Sequence, residues 1–182
     1  MTLTKKTQRF DDNQIKIVNN SVATAEELVS NFYKMSANQW LRLNYDVKTM
    51  VDLFPNEVVC GPFAHIIRYE GKRNNSSLGS LTYDFYKICL QDDAILLALN
   101  RSNFLKLFPF MLFIVTHELI HIVRFCKFLQ SFDVSYEERM IEEGRVHKKT
   151  HEVLSPVKIS GLKDVLSFYN KRCAPIEDLQ SQ

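Results

Sequence analysis

The chain has 182 residues, of which 46% are hydrophobic and thirteen are Phe, enough apolar material for the core of one domain. A formal net charge of +2, with no Lys/Arg block interleaved with aromatic residues, excludes a dedicated nucleic-acid binder. Four scattered cysteines (Cys60, Cys89, Cys126 and Cys173) without a Cys-x-x-Cys pair exclude a cysteine-built zinc site or a thioredoxin-like motif, and predict buried free thiols in a reducing compartment.

Residues 1–20 are polar, carry no apolar signal-peptide core, and read as a flexible segment before a single domain over 21–182 in a cytoplasmic protein. Thr24-Ala-Glu-Glu27 has the capping-box pattern and predicts a helix to about Met35. Trp40, Leu41, Leu43, Val47, Val51 and Leu53 fit a second amphipathic helix over 38–54, stopped by Pro55. The pattern then changes to short β-branched and aromatic runs. Val58 to Cys60 and Phe63 to Tyr69 face Leu81 to Leu90 across a turn-rich segment from Gly71 to Gly79, which predicts a hairpin. Ala94 to Leu99 reads as a third strand. The expected class is α+β: a small mixed or antiparallel sheet packed on a central helix, with helical N- and C-terminal parts.

That helix is predicted over about 109–129, with Pro109 as a break, and is apolar on nearly every side. Its apolar run from Leu107 to Thr116 is about half of a ~20-residue membrane span, and no membrane segment is expected. The run leads into His117-Glu118-Leu119-Ile120-His121. Residues i and i+4 share a helix face, so the two imidazoles can converge on one metal ion, while Glu118 can reach a water on that metal without being a ligand. A core helix with incidental histidines accounts for either histidine alone, but poorly for both plus a carboxylate, because an uncompensated buried carboxylate is costly.

Ser135-Tyr-Glu-Glu138 is a further capping box, opening a helix over 136–154 that ends before Pro156, and Gly161 to about Lys171 predicts a last short helix. On the 136–154 helix, a 100° projection gives an apolar face of Met140, Gly144, Thr150 and Leu154 flanked by Ile141, Val146 and Val153. Glu143 and His147 project near its middle, Glu142 at its edge, and Glu137, Glu138 and Glu152 into solvent. Gly144 suits a close helix approach.

The stretch from Val115 to Val123, built around His-Glu-x-x-His, resembles the extended signature of the zincin metallopeptidases. It departs from the metzincin form, His-Glu-x-x-His-x-x-Gly-x-x-His, by carrying Arg124 at the glycine and Lys127 at the third histidine. With a downstream glutamate-bearing helix it resembles the gluzincins, typified by thermolysin. The resemblance covers roughly residues 109–154 and implies a zinc metallopeptidase acting on a peptide or protein, with a sheet edge beside the cleft. Zn²⁺ would be held by His117, His121 and a glutamate, with Glu118 as general base. Glu143 is the preferred third ligand and His147 the alternative. His147 otherwise orients a ligand histidine or donates to the developing oxyanion, a task also open to Tyr136 or His151. His65 has no assigned role. Two readings compete: a carboxylate-bridged di-iron helical protein, since Glu118-x-x-His121 is half of the motif pair such a site needs, and a catalytically idle metal site in a regulatory protein.

Overall fold

The computed structural model describes residues 7–72 and 82–172. Helix α1 spans Asp12–Phe32, followed by the short α2 (Ala37–Trp40), strand β1 (Tyr45–Lys48), two 3₁₀ turns (Met50–Asp52 and Pro55–Glu57), and strands β2 (Ala64–Lys72) and β3 (Thr82–Leu90). Helices α3 (Asp92–Arg101), α4 (Leu107–Cys126), α5 (Tyr136–Leu154) and α6 (Leu162–Arg172) complete the chain. The expected mixed α+β class is present. The sheet has the order β1-β3-β2, with β2 antiparallel and β1 parallel to β3.

Three expectations along the chain are corrected. Helix α1 starts one capping box earlier, at Asp11, whose carboxylate accepts from Gln14 N while Gln14 Oε1 accepts from Asp11 N. Residues 12–20 are therefore helical, and Thr24 lies mid-helix, donating back to Asn20 O. The 38–54 segment is not one helix: Ser36 caps a single turn, Asn44 takes a positive φ of 24°, and Tyr45–Lys48 form the third strand. Leu43 is buried and Trp40 and Val47 pack on the core, but Leu41 (76% exposed) and Val51 (63%) face away from it, so the six residues do not form one buried helix face. Finally, Ala94–Leu99 is helical, within α3. A short apolar run cannot be assigned by periodicity alone. Ala and Leu favour helix, and Asp92 and Asp93 complement its positive end. Asp92 is also buried, accepting from Phe10 N and Met50 N, so it ties the N-terminal segment and the first 3₁₀ turn to α3.

Helix α4 is the hub. Helices α1, α5 and α6 and strand β2 all pack on it, and every residue from Pro109 to Thr116 is buried. Pro109 does not break the helix, because it sits in the first turn, where its missing N–H would have had no intrahelical acceptor. By length and composition α4 could cross a membrane, but 72% of its most apolar window is buried inside the protein, as in the core helix of a soluble protein. It ends in a Schellman-type cap, with Leu129 N donating to Arg124 O and Phe128 N to Phe125 O, and Phe128 holding a positive φ of 56°. Of the cysteines, Cys89 is buried, Cys126 half-buried and Cys60 exposed, so the expectation of buried thiols fails at Cys60. Cys173 lies outside the described residues.

Candidate metal centre

Helix α5 runs back along α4 and brings one glutamate to the two histidines. His117 Nε2 lies 3.2 Å from Glu143 Oε2, His121 Nε2 lies 3.2 Å from Glu143 Oε1, and the two Nε2 atoms are 3.3 Å apart. A tetrahedral site with ligands at about 2.0–2.1 Å has donor–donor edges 1.63 times longer, about 3.3–3.4 Å. Each nitrogen–nitrogen and nitrogen–oxygen separation is therefore close to one donor–donor edge of such a site, with a different carboxylate oxygen facing each ring. Hydrogen bonding alone does not explain the cluster. If the Glu143 carboxylate accepts from both rings, both Nε2 atoms carry hydrogen, and their mutual contact then sets two donors against each other. A shared cation removes the conflict, because all three groups then offer lone pairs to one centre. Among the described residues this is the one group of three or more ligating side chains close enough to hold an ion. The donor set, two imidazoles and a carboxylate, suits zinc.

The electrostatics follow from burial and mutual proximity. Burial pushes the Glu143 carboxyl up, but hydrogen bonds to His117 and His121 outweigh it and hold the group well below the usual carboxylate range. Burial likewise depresses His121, and the neighbouring Glu143 and Glu118 carboxylates reverse this to a net rise. Glu118 is raised by desolvation, only partly offset by the two histidines. No hydrogen bond or ion pair holds its carboxylate among the described residues, so it remains the uncommitted acid–base group of the cluster.

Glu142 and Glu143 exchange the positions that helical projection assigns them. The buried side of α5 carries Glu142, Val146, Thr150, Val153 and Leu154, whereas Met140 (54% exposed) and Ile141 (57%) face solvent. Glu142 therefore lies within the buried face, where it is paired with Arg124 of α4 and with Arg145. Glu143 lies at the margin of that face, where α5 borders the histidines, and its side chain is 46% exposed. With α5 in this rotation, Glu142 meets Arg124 and the next residue, Glu143, reaches the two histidines. Gly144 does not serve a close helix approach, since a Cβ there would meet nothing within 4 Å.

His147 makes no hydrogen bond or ring contact with either ligand histidine among the described residues. It packs on Phe113 (5.9 Å between centroids), His151 (4.6 Å) and Tyr169 (6.5 Å), and burial, His151 and His117 depress its pKa. The orienting contacts expected of it come from two residues that the sequence reading passed over. Gln130 Oε1 lies 3.2 Å from His121 Nδ1, and Thr150 Oγ1 lies 3.5 Å from His117 Nδ1. Helical projection marks Thr150 only as part of an apolar face. Gln130 carries no periodic or motif signal, because its position depends on how the α4–α5 loop folds back. Tyr136 is 76% exposed at the start of α5. His151 has a buried Nε2 without a hydrogen-bond partner in the described structure and a pKa depressed by burial. His65 lies on β2 beside Gln91, apart from this cluster.

No family model matches the chain, and no curated protein or solved structure was found to be similar to it.

Proposed function

We propose that this chain is a cytoplasmic zinc-dependent hydrolase of peptide bonds, with the ion held by His117, His121 and Glu143 and with Glu118 as general base. The observation that carries the reading is the convergence of two imidazole nitrogens and the two oxygens of one carboxylate, with facing atoms 3.2–3.3 Å apart, beside a second carboxylate that has no hydrogen-bond partner among the described residues. A zinc ion in such a site supplies Lewis acidity, polarising a carbonyl and making a water acidic enough to attack it near neutral pH.

Glu118 has the pKa direction its task requires. A carboxyl raised by desolvation is a better base than an exposed one and, once protonated, a competent donor to the leaving amine. His147 makes no hydrogen bond to either ligand histidine among the described residues, but it lies one turn beyond Glu143, and burial lowers its pKa. It is our candidate for an N–H donor to the developing oxyanion, ahead of the exposed Tyr136 and of His151. Outer strand β2, which packs on α4, offers an edge along which an extended substrate could pair. These features support a gluzincin-like arrangement.

The test is elemental analysis combined with the Glu118→Gln variant. The purified protein should carry about one zinc per chain, and the variant should keep that zinc while hydrolysis of a peptide substrate falls by about 10²–10⁴-fold. Two irons per chain, or loss of metal on Glu118→Gln, would instead make Glu118 a ligand and favour the di-iron reading. Zinc binding with no hydrolysis of any peptide by the intact protein would favour an idle metal site.

A further inference from the structure

We infer that Gln130, with Thr150 in support, is a positioning residue that makes His121 and His117 metal ligands through Nε2; this rests on the metal centre proposed above. An imidazole binds a metal through one nitrogen, and the hydrogen bond at the other nitrogen selects which one. Gln130 presents an acceptor, Oε1, to His121 Nδ1 at 3.2 Å. The hydrogen therefore sits on Nδ1, and the Nε2 lone pair faces His117 and Glu143. Thr150 does the same from α5. Its hydroxyl donates to Val146 O at 2.8 Å, which leaves its oxygen lone pair to accept from His117 Nδ1 at 3.5 Å. Without these acceptors, water competes for Nδ1, both tautomers become populated, and each ring can turn its other nitrogen into the cleft.

The loop that carries Gln130 is built to hold it there. Its neighbours Lys127, Phe128, Leu129 and Ser131 are all exposed, and Gln130 alone among them turns inward. The Schellman-type cap sets the exit of the chain from α4, at the expense of a left-handed Phe128. On the far side, Phe132 packs on Phe125 and Tyr86 with the Arg68 guanidinium over its ring, and Asp133 is paired to Arg68 of β2 at 2.8 Å. Loop docking on the sheet and ligand orientation in the cleft are thus one event, and metal affinity depends on it.

The experiment measures the affinity for Zn²⁺ by competition with a chromophoric chelator and the visible spectrum with Co²⁺, for the full chain and its variants. Gln130→Ala should lose about 10–100-fold in affinity and change the Co²⁺ spectrum, with Thr150→Val smaller in the same direction. Gln130→Glu and Thr150→Ser, which keep an acceptor, should stay within a few-fold of the parent, whereas Gln130→Met, which keeps the packing volume without the acceptor, should lose affinity as Gln130→Ala does. A purely packing role would give the reverse order for Thr150→Ser and Thr150→Val and no loss for Gln130→Met. Gln130→Ala with the parent's affinity and spectrum would overturn the inference while leaving the metal centre standing. A parent chain that binds neither Zn²⁺ nor Co²⁺ would overturn the metal centre and the inference with it.

Discussion

The molecule contains two clusters of polar side chains drawn out of water, on opposite faces of its sheet, and they are built on opposite principles. On the face away from the core, Glu57 is 1% exposed and fully answered. Its Oε1 accepts from Lys87 Nζ at 2.7 Å and from Tyr69 OH at 2.5 Å, its Oε2 accepts from Phe54 N at 2.9 Å, and the Lys87 ammonium lies 5.3 Å from the Phe54 ring centre and 5.2 Å from that of Tyr69. Between α4 and α5, in contrast, His117, His121 and Glu143 turn their ligating atoms toward one another, and among the described residues Glu118 is answered by no hydrogen bond. Buried charge is common to both clusters and therefore marks neither as a functional site. What separates them is closure: the first satisfies its acceptors from within the chain, and the second leaves room for a cation to do so.

The largest expected effect breaks the open cluster without touching the closed one. Glu143→Ala should weaken zinc binding by about 10²–10³-fold, or about 3–4 kcal/mol, since a ligand is lost. Glu142→Ala, one residue away, should leave zinc affinity within a few-fold but lower folding stability by about 2–3 kcal/mol, because Arg124 loses its partner in a site still partly open to solvent. Chelator competition and urea unfolding on both variants separate the two roles, and equal loss of zinc affinity would show that the turn of α5 is wrong by one residue.

Zinc should also stabilise the chain by about 2.7 kcal/mol at a free concentration a hundredfold above its Kd, read as a rise in Tm. That rise should vanish in Glu143→Ala and persist in Glu57→Ala. The closed cluster has its own signature. Glu57→Ala should cost about 2 kcal/mol by stranding Lys87 and Tyr69, with zinc affinity unchanged. The Lys87 and Tyr69 hydrogen bonds hold the Glu57 carboxyl down from 4.5 to about 2. A carboxyl depressed by folding adds stability that is fully present above its unfolded value and is lost as pH falls through its folded value. The parent should therefore lose stability between about pH 4.5 and 2 relative to Glu57→Gln, a difference that chemical denaturation at stepped pH would read.

Helix α5 shows how far the sequence could be read and where the reading needed a partner surface. Its boundaries and capping box are local, and Ser135 with Glu138 forms the expected reciprocal cap. Its rotation is not local. Projection placed Met140 and Ile141 inward and Glu142 at the edge, because a helix wheel ranks residues by apolarity and takes no account of an arginine on the neighbouring helix. Once Arg124 is opposite, a glutamate belongs in the buried face, and the rest of the wheel turns with it. Glu143 emerges as the candidate ligand all the same, although the argument that a carboxylate aimed at the core must have a partner properly describes Glu142.

The sequence by itself determined the features set within a few turns of chain: the apolar hub helix, the pair of imidazoles one turn apart with Glu118 between them, the β2–β3 hairpin and the cap of α5. Each follows from backbone periodicity or from hydrogen bonds between near neighbours. Only the tertiary structure decided the third strand, since β1 exists because β3 offers it a parallel edge, and the helical state of Ala94–Leu99, which Asp92 secures through contacts to Phe10 and Met50. It also decided the rotation of α5 and the presence of Gln130 behind His121. These features depend on groups far apart in the chain meeting across a packed interface, and the free energy of such a meeting is not written in any local pattern.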